Sequence, residues 1–143
     1  MIPRSPPIAG TVIRYRYLWA REFESGRRDG IKDRPTALLI ATATDPPECI
    51  VLPITHSAPG PDTAAIEMPR TEAVRLGLDG ERSWIVLDET NSFLWPGPDL
   101  GPVPGRKPRT VVYGMLSRPF FGRVLAAVQS LLRECRLKSV DRD

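Results

Sequence analysis

The 143 residues suffice for one domain with its own core and are too few to expect two, and 41% hydrophobic with 26% charged residues is ordinary for a globular protein. Sixteen prolines and eleven glycines exclude a helical bundle and point to short elements joined by turns. A net charge of +3 suits a nucleic-acid partner without requiring one, and the 17 Arg against three Lys fit bidentate phosphate contact or simply an Arg-favouring genome.

Residues 1–9 are expected to form a disordered or extended leader. They lack the apolar core of a signal peptide, and no apolar run reaches the length of a membrane span. A cytoplasmic location without membrane attachment is therefore expected. The domain itself is expected to run over residues 10–137. Thr11 to Trp19 alternates, with Ile13, Tyr15, Tyr17 and Trp19 on one face and Arg14 and Arg16 on the other, which predicts a strand. Ala20 to Asp33 is polar, contains Gly26 and Gly30, and predicts a long loop. Pro35 to Ala43 is continuously apolar and predicts a buried strand. Asp45-Pro46-Pro47 makes a turn, and Cys49 to Thr55 the next strand, with Pro53 implying an edge or a bulge. A loop over 57–62, a short strand over 64–68 and helical turns over 71–76, ended by Gly77, follow.

Ser83 to Asp88 predicts another strand. Residues 91–109, dense in Pro and Gly, predict irregular chain, and Thr110 to Tyr113 a last short strand. The one strong helix starts with Ser117 as N-cap and Pro119 in its first turn. Phe121, Val124, Leu125, Val128, Leu131, Leu132 and Cys135 share its apolar stripe. Residues 138–143 read as a charged, frayed tail. These elements predict a mainly β fold: a small β-barrel capped by a C-terminal helix.

Cys49 and Cys135 stand far apart, belong to no CxxC pair, and are expected to be buried thiols in a reducing compartment. With a single histidine, no multi-ligand metal site is expected, and no cofactor motif is present. Four features could carry chemistry. Arg34 stands at a strand mouth, where a guanidinium fixed at its base could hold a phosphate, though the commoner case is a surface Arg paired with a neighbouring acid such as Asp33 or Asp29. Thr55, His56 and Ser57 follow a strand end: the hydroxyls can donate to an anionic oxygen and the imidazole can move a proton, though a lone His is more often structural. Asp88 could hold an Arg or the His, or bond Thr90 or Asn91 in a turn. Of the aromatic cluster Trp84, Phe93 and Trp95, the last two lie in the Pro/Gly-rich stretch and could stack on bases, though such aromatics more often plug the end of a barrel.

In series, four segments resemble the MazF/PemK toxins of bacterial toxin–antitoxin systems: Gly10-Thr-Val-Ile, Lys32-Asp-Arg-Pro-Thr-Ala-Leu-Leu-Ile40, Cys49 to Ser57, and Trp84 to Ser92. The resemblance spans about residues 9–136. It implies an SH3-like β-barrel, usually a homodimer, that cleaves single-stranded RNA without a metal or cofactor, the RNA's own 2′-OH being the nucleophile. Arg34 then matches a catalytic Arg that stabilises the phosphorane, Thr55 a catalytic Thr/Ser, and Asp88 an assisting acid; His56 is a further catalytic candidate. Arg27, Arg28, Lys32, Ser57 and Trp95 are the expected RNA contacts. The expected partners are mRNA, a second copy of the chain and an antitoxin with an acidic tail. Two positions depart from some relatives: Val86 stands where a second Arg precedes the Asp, and the first long loop has no His. A gyrase-poison-like toxin, acting through its C-terminal helix, and a non-catalytic binding module are the alternatives.

Overall fold

The computed structural model describes residues 2–143. The alternating segments form strands β1 (Thr11–Tyr15), β2 (Arg34–Ala41), β3 (Glu48–Thr55), β4 (Ala65–Glu67), β5 (Trp84–Val86), β6 (Glu89–Leu94), β7 (Val112–Met115) and β8 (Lys138–Asp141). Helices α1 (Ala20–Glu24), α2 (Arg70–Arg75) and α3 (Arg118–Arg133) are interspersed. The strands make one sheet in the order β4-β5-β3-β2-β1-β7, with β6 on β3 and β8 on β6. Every pairing is antiparallel except that of β8 with β6. The ladder does not close: β4 and β7 end the path without pairing to each other, so the fold is an eight-stranded mainly β sheet rather than the closed barrel expected. No helix among the described residues is long and apolar enough to cross a membrane.

The period of two sorts the core into two layers. Val12, Ala37, Leu52 and Ile85 point to one face, where Phe120, Val124, Val128 and Leu131 of α3 cover them. Their neighbours Ile13, Leu38, Val51 and Val86 point to the other, which is filled by Tyr15, Tyr17, Trp19, Phe93 and Trp95. Tyr15 and Phe93 stack there with ring centroids 4.6 Å apart. Ser117 caps α3 as expected, its hydroxyl accepting from the Phe120 N–H, and Gly77 follows α2 with φ +72°.

β3 is the pivot. One edge carries β2; the other carries β6 over Glu48–Val51 and β5 over Ile54–Thr55. Pro53, which has no N–H to give, falls where that outer partner changes, neither on an edge strand nor at a bulge.

Several expectations are corrected. Ala20–Glu24, expected as loop, is helical: Ala, Arg and Glu favour it, and the Glu22 carboxylate accepts from the Trp19 N–H at 3.1 Å. Residues 89–94, expected to be partly irregular, form β6; its buried positions include Thr90, Asn91 and Ser92, so no apolar alternation marks it. The expected frayed tail forms β8, held by backbone pairing and one buried apolar side chain, Val140. Within the expected leader, the Pro3 carbonyl accepts from the Trp95 indole N–H at 2.9 Å. Cys49 is buried, but Cys135 is exposed: α3 ends at Arg133 and Cys135 turns out of the helix with φ +56°.

Candidate functional site

Thr36 faces Pro53 and Ala37 faces Leu52 in the β2–β3 ladder, and the same register carried outward sets Arg34 opposite Thr55. The two strand ends open into a cleft of about 690 Å³ that Arg34, Thr55, His56, Ser57 and Lys32 all line. Five of the nine residues expected to serve chemistry or RNA contact thus converge. Strand pairing is the cause, because it brings together segments twenty residues apart in the chain.

Arg34 shares the face of Leu38, so its side chain meets the aromatic layer. Its guanidinium carbon lies 5.0 Å from the centroid of the Trp19 ring, and that of Arg21 lies 4.8 Å from the same ring. Among the described residues Arg34 has no acidic partner within ion-pair distance, and its buried Nε has no hydrogen-bond partner. Neither acid expected as its partner takes it: Asp29 lies beyond ion-pair distance, and Asp33 takes Arg16 at 3.1 Å and Arg14 at 4.0 Å. Gly101 makes this possible, since a Cβ there would stand 2.5 Å from the Asp33 Oδ2. Burial draws the Arg34 pKa below the usual guanidinium value; Glu22 opposes that pull and Arg21 adds to it. An anion placed beside the guanidinium would offset that desolvation cost by Coulombic attraction.

The Thr55 Oγ1 accepts from the Ser57 N–H at 3.1 Å, which leaves the hydroxyl proton to give to a ligand. Both His56 nitrogens are occupied: Nδ1 faces the Arg82 carbonyl at 3.1 Å and the Ser83 hydroxyl at 3.2 Å, and Nε2 faces Asp79 at 3.1 Å. That geometry makes His56 a brace between the end of β3 and the 79–83 loop, the structural role weighed for it. His56, Asp79 and Glu81 are also the three exposed groups that bring one ligand atom each within 4.8 Å of one another.

Four expected site residues lie outside the cleft lining. Asp88 accepts from the Ala64 N–H at 3.1 Å and its carbonyl from the Lys138 N–H at 3.0 Å, so it fastens β4 and β8. Trp95 is 4% exposed and packs in the core, where no base can reach its ring. Arg27 and Arg28 follow α1 on exposed chain; Arg28 lies over Phe23, 5.1 Å from its centroid. Conversely, the cleft holds groups not anticipated from the sequence: Arg14, Trp19, Arg21 and Arg106. Arg106 is structural, donating to the carbonyls of Tyr113 at 3.1 Å and Leu76 at 2.9 Å. No sequence pattern signalled that Arg21, two residues after Trp19, would lie over its ring, because residues two apart in a helix do not face each other. In all, five cations (Arg14, Arg21, Lys32, Arg34 and Arg106) face two carboxylates (Asp33 and Asp79) around the cleft.

Neither the protein-family models nor the curated proteins compared with the chain match it.

Proposed function

We propose that the cleft binds single-stranded RNA and cleaves it without a metal, the reading that the likeness to MazF/PemK toxins with their SH3-like barrel suggests. The observation that carries it is an unpaired, half-buried Arg34 across the β2–β3 ladder from a Thr55 hydroxyl free to donate. In this mechanism the RNA 2′-hydroxyl gives its proton to water as its oxygen attacks the adjacent phosphorus, the P–O5′ bond breaks with the 5′-oxygen taking a proton from water, and a 2′,3′-cyclic phosphate forms. Negative charge peaks on the phosphoryl oxygens of the pentavalent state, where Arg34 and Thr55 supply fixed donors. Arg21 and Lys32 hold the flanking backbone. A second copy of the chain and an acidic antitoxin tail, which would compete for the same cations, complete the proposed cytoplasmic system.

A binding-only role is the second reading, and one observation favours it: His56 is braced at both nitrogens and Asp88 lies outside the cleft, so neither stands ready to take the 2′-OH proton. Incubation with a mixed single-stranded RNA pool in EDTA separates the two. Cleavage predicts cuts at a short recurring sequence, lowered about 10²–10³-fold by Arg34→Ala with the melting temperature unchanged. Retention without cutting leaves a binding module, and cutting that survives Arg34→Ala refutes the assignment.

A further inference from the structure

We propose that Arg142, acting through Asn91 beside Glu89, is a positioning residue that fixes the Trp19–Arg21 wall of the cleft against Arg34. The role rests on the phosphate-binding reading of that cleft. The starting point is that residues 16–20 run on after β1 without a ladder partner. The Arg16 N–H donates to the Asp99 carbonyl at 2.9 Å, and beyond it the N–H groups of Leu18, Trp19 and Ala20 are taken by side chains. The Asn91 amide brackets Leu18, its Oδ1 accepting from the Leu18 N–H at 2.9 Å and its Nδ2 donating to the Leu18 carbonyl at 2.8 Å. One Glu89 oxygen accepts from the Ala20 N–H at 2.8 Å and from the Tyr17 hydroxyl at 3.1 Å.

Arg142 locks that arrangement from the far end of the chain. Its side chain is 2% exposed and pairs with Asp99 at 3.1 Å. Its Nη1 donates to the Arg16 carbonyl at 2.8 Å and faces the Asn91 Oδ1 at 3.1 Å and the Tyr15 hydroxyl at 3.2 Å. β8 delivers it there by pairing with β6, and the Arg142 N–H donates to the Ser92 carbonyl at 2.8 Å. A buried guanidinium is retained at a desolvation cost, so what it holds is informative. Here it holds the one segment that leads, through Leu18, to the ring on which Arg21 and Arg34 both rest. Groups set in such a way act on a reaction by keeping donors at their working distance, and a shift of about 1 Å costs up to about 10²-fold in rate.

The test uses the full chain as Arg142→Gln and Arg142→Lys. Amide hydrogen exchange at Leu18 and Ala20 is compared with that at Leu38 and Val51 in the ladder, and binding of a short fluorescein-labelled single-stranded RNA is measured alongside. Expected for Arg142→Gln is a loss of protection of about tenfold confined to Leu18 and Ala20, with RNA affinity falling at least about tenfold. Arg142→Lys, which keeps the charge but not the fork, should recover part of both. Unchanged protection and affinity overturn the proposal. So does a loss of protection spread evenly over Leu38 and Val51, which marks a residue needed only for stability. If Arg142→Gln does not fold, Arg142→Lys carries the comparison by itself, with a smaller loss expected at Leu18 and Ala20 and none at Leu38 and Val51. Should the wild type bind no RNA, the functional reading fails, and exchange at Leu18 still decides whether Arg142 orders the wall.

Discussion

At the scale of single residues, the local charge balance at Arg34 was open in the sequence, because Asp33 and Asp29 both stood close enough to neutralise it. Strand geometry resolves it: Asp33 turns toward Arg14 and Arg16 of the neighbouring chain segment, and Arg34 turns into the aromatic layer. The two cysteines divide in the same manner. Burial pushes the Cys49 thiol up to about 11, whereas Cys135 lies exposed beyond the helix end. Native protein treated with iodoacetamide is therefore expected to take one label per chain, at Cys135, with Cys49 reacting only after unfolding; mass spectrometry of the peptides checks this. Glu89 offers a second test. Burial raises its pKa against the opposing bonds from Ala20 and Tyr17. A carboxyl with a raised folded-state pKa favours folding in its protonated form, and that contribution is lost as pH rises through the raised value. Glu89→Gln keeps an oxygen to accept both bonds and removes the desolvated charge. Its melting temperature should exceed that of the wild type at pH 7, with the gap closing as pH falls below the ordinary carboxylate range. A lower melting temperature for the variant at pH 7 would mean that the charge stabilises the fold.

At the scale of elements, α3 was legible as a helix with the right cap, and its apolar stripe was placed slightly off. Leu131 is 6% exposed while Leu132 is 61% exposed, so the buried line runs through Phe120, Val124, Val128 and Leu131. Leu131→Ala is accordingly expected to cost about 2–4 kcal/mol and Leu132→Ala no more than about 0.5 kcal/mol, as read by urea denaturation. Equal losses would contradict the packing. β1 to β5 were legible because each faces an apolar layer on at least one side and so alternates or runs apolar. β6 and β8 were not, because each buries one large apolar side chain, Phe93 or Val140, among polar positions, so neither shows an apolar alternation. Asn91 is fully buried, yet reads as a turn residue in sequence; Lys138 and Asp141 read as solvent. Both unread strands belong to the apparatus that steadies residues 16–20, which explains why the Trp19–Arg21 part of the cleft went unseen along with them.

At the scale of the whole molecule, the excess of positive charge at the cleft gives the proposed RNA complex a measurable signature. If Arg21, Lys32 and Arg34 each neutralise one phosphate, log affinity should fall with log salt at a slope of about −2. Removing Arg34 should lower that slope as well as the affinity; a slope near zero would argue against backbone contacts as the basis of binding. Composition, alternation and turn chemistry alone determined that the chain is a mainly β domain with a terminal helix, and placed Arg34 and Thr55 at strand ends, since these features depend on neighbours within a few residues. Whether those ends meet, which acid leaves its neighbouring Arg unpaired, whether the sheet closes, and that the last strand returns to brace the first were decided by tertiary structure. Each depends on pairing between segments 20 to 125 residues apart, roughly, and register over such separations is set by packing and burial, not by local preference.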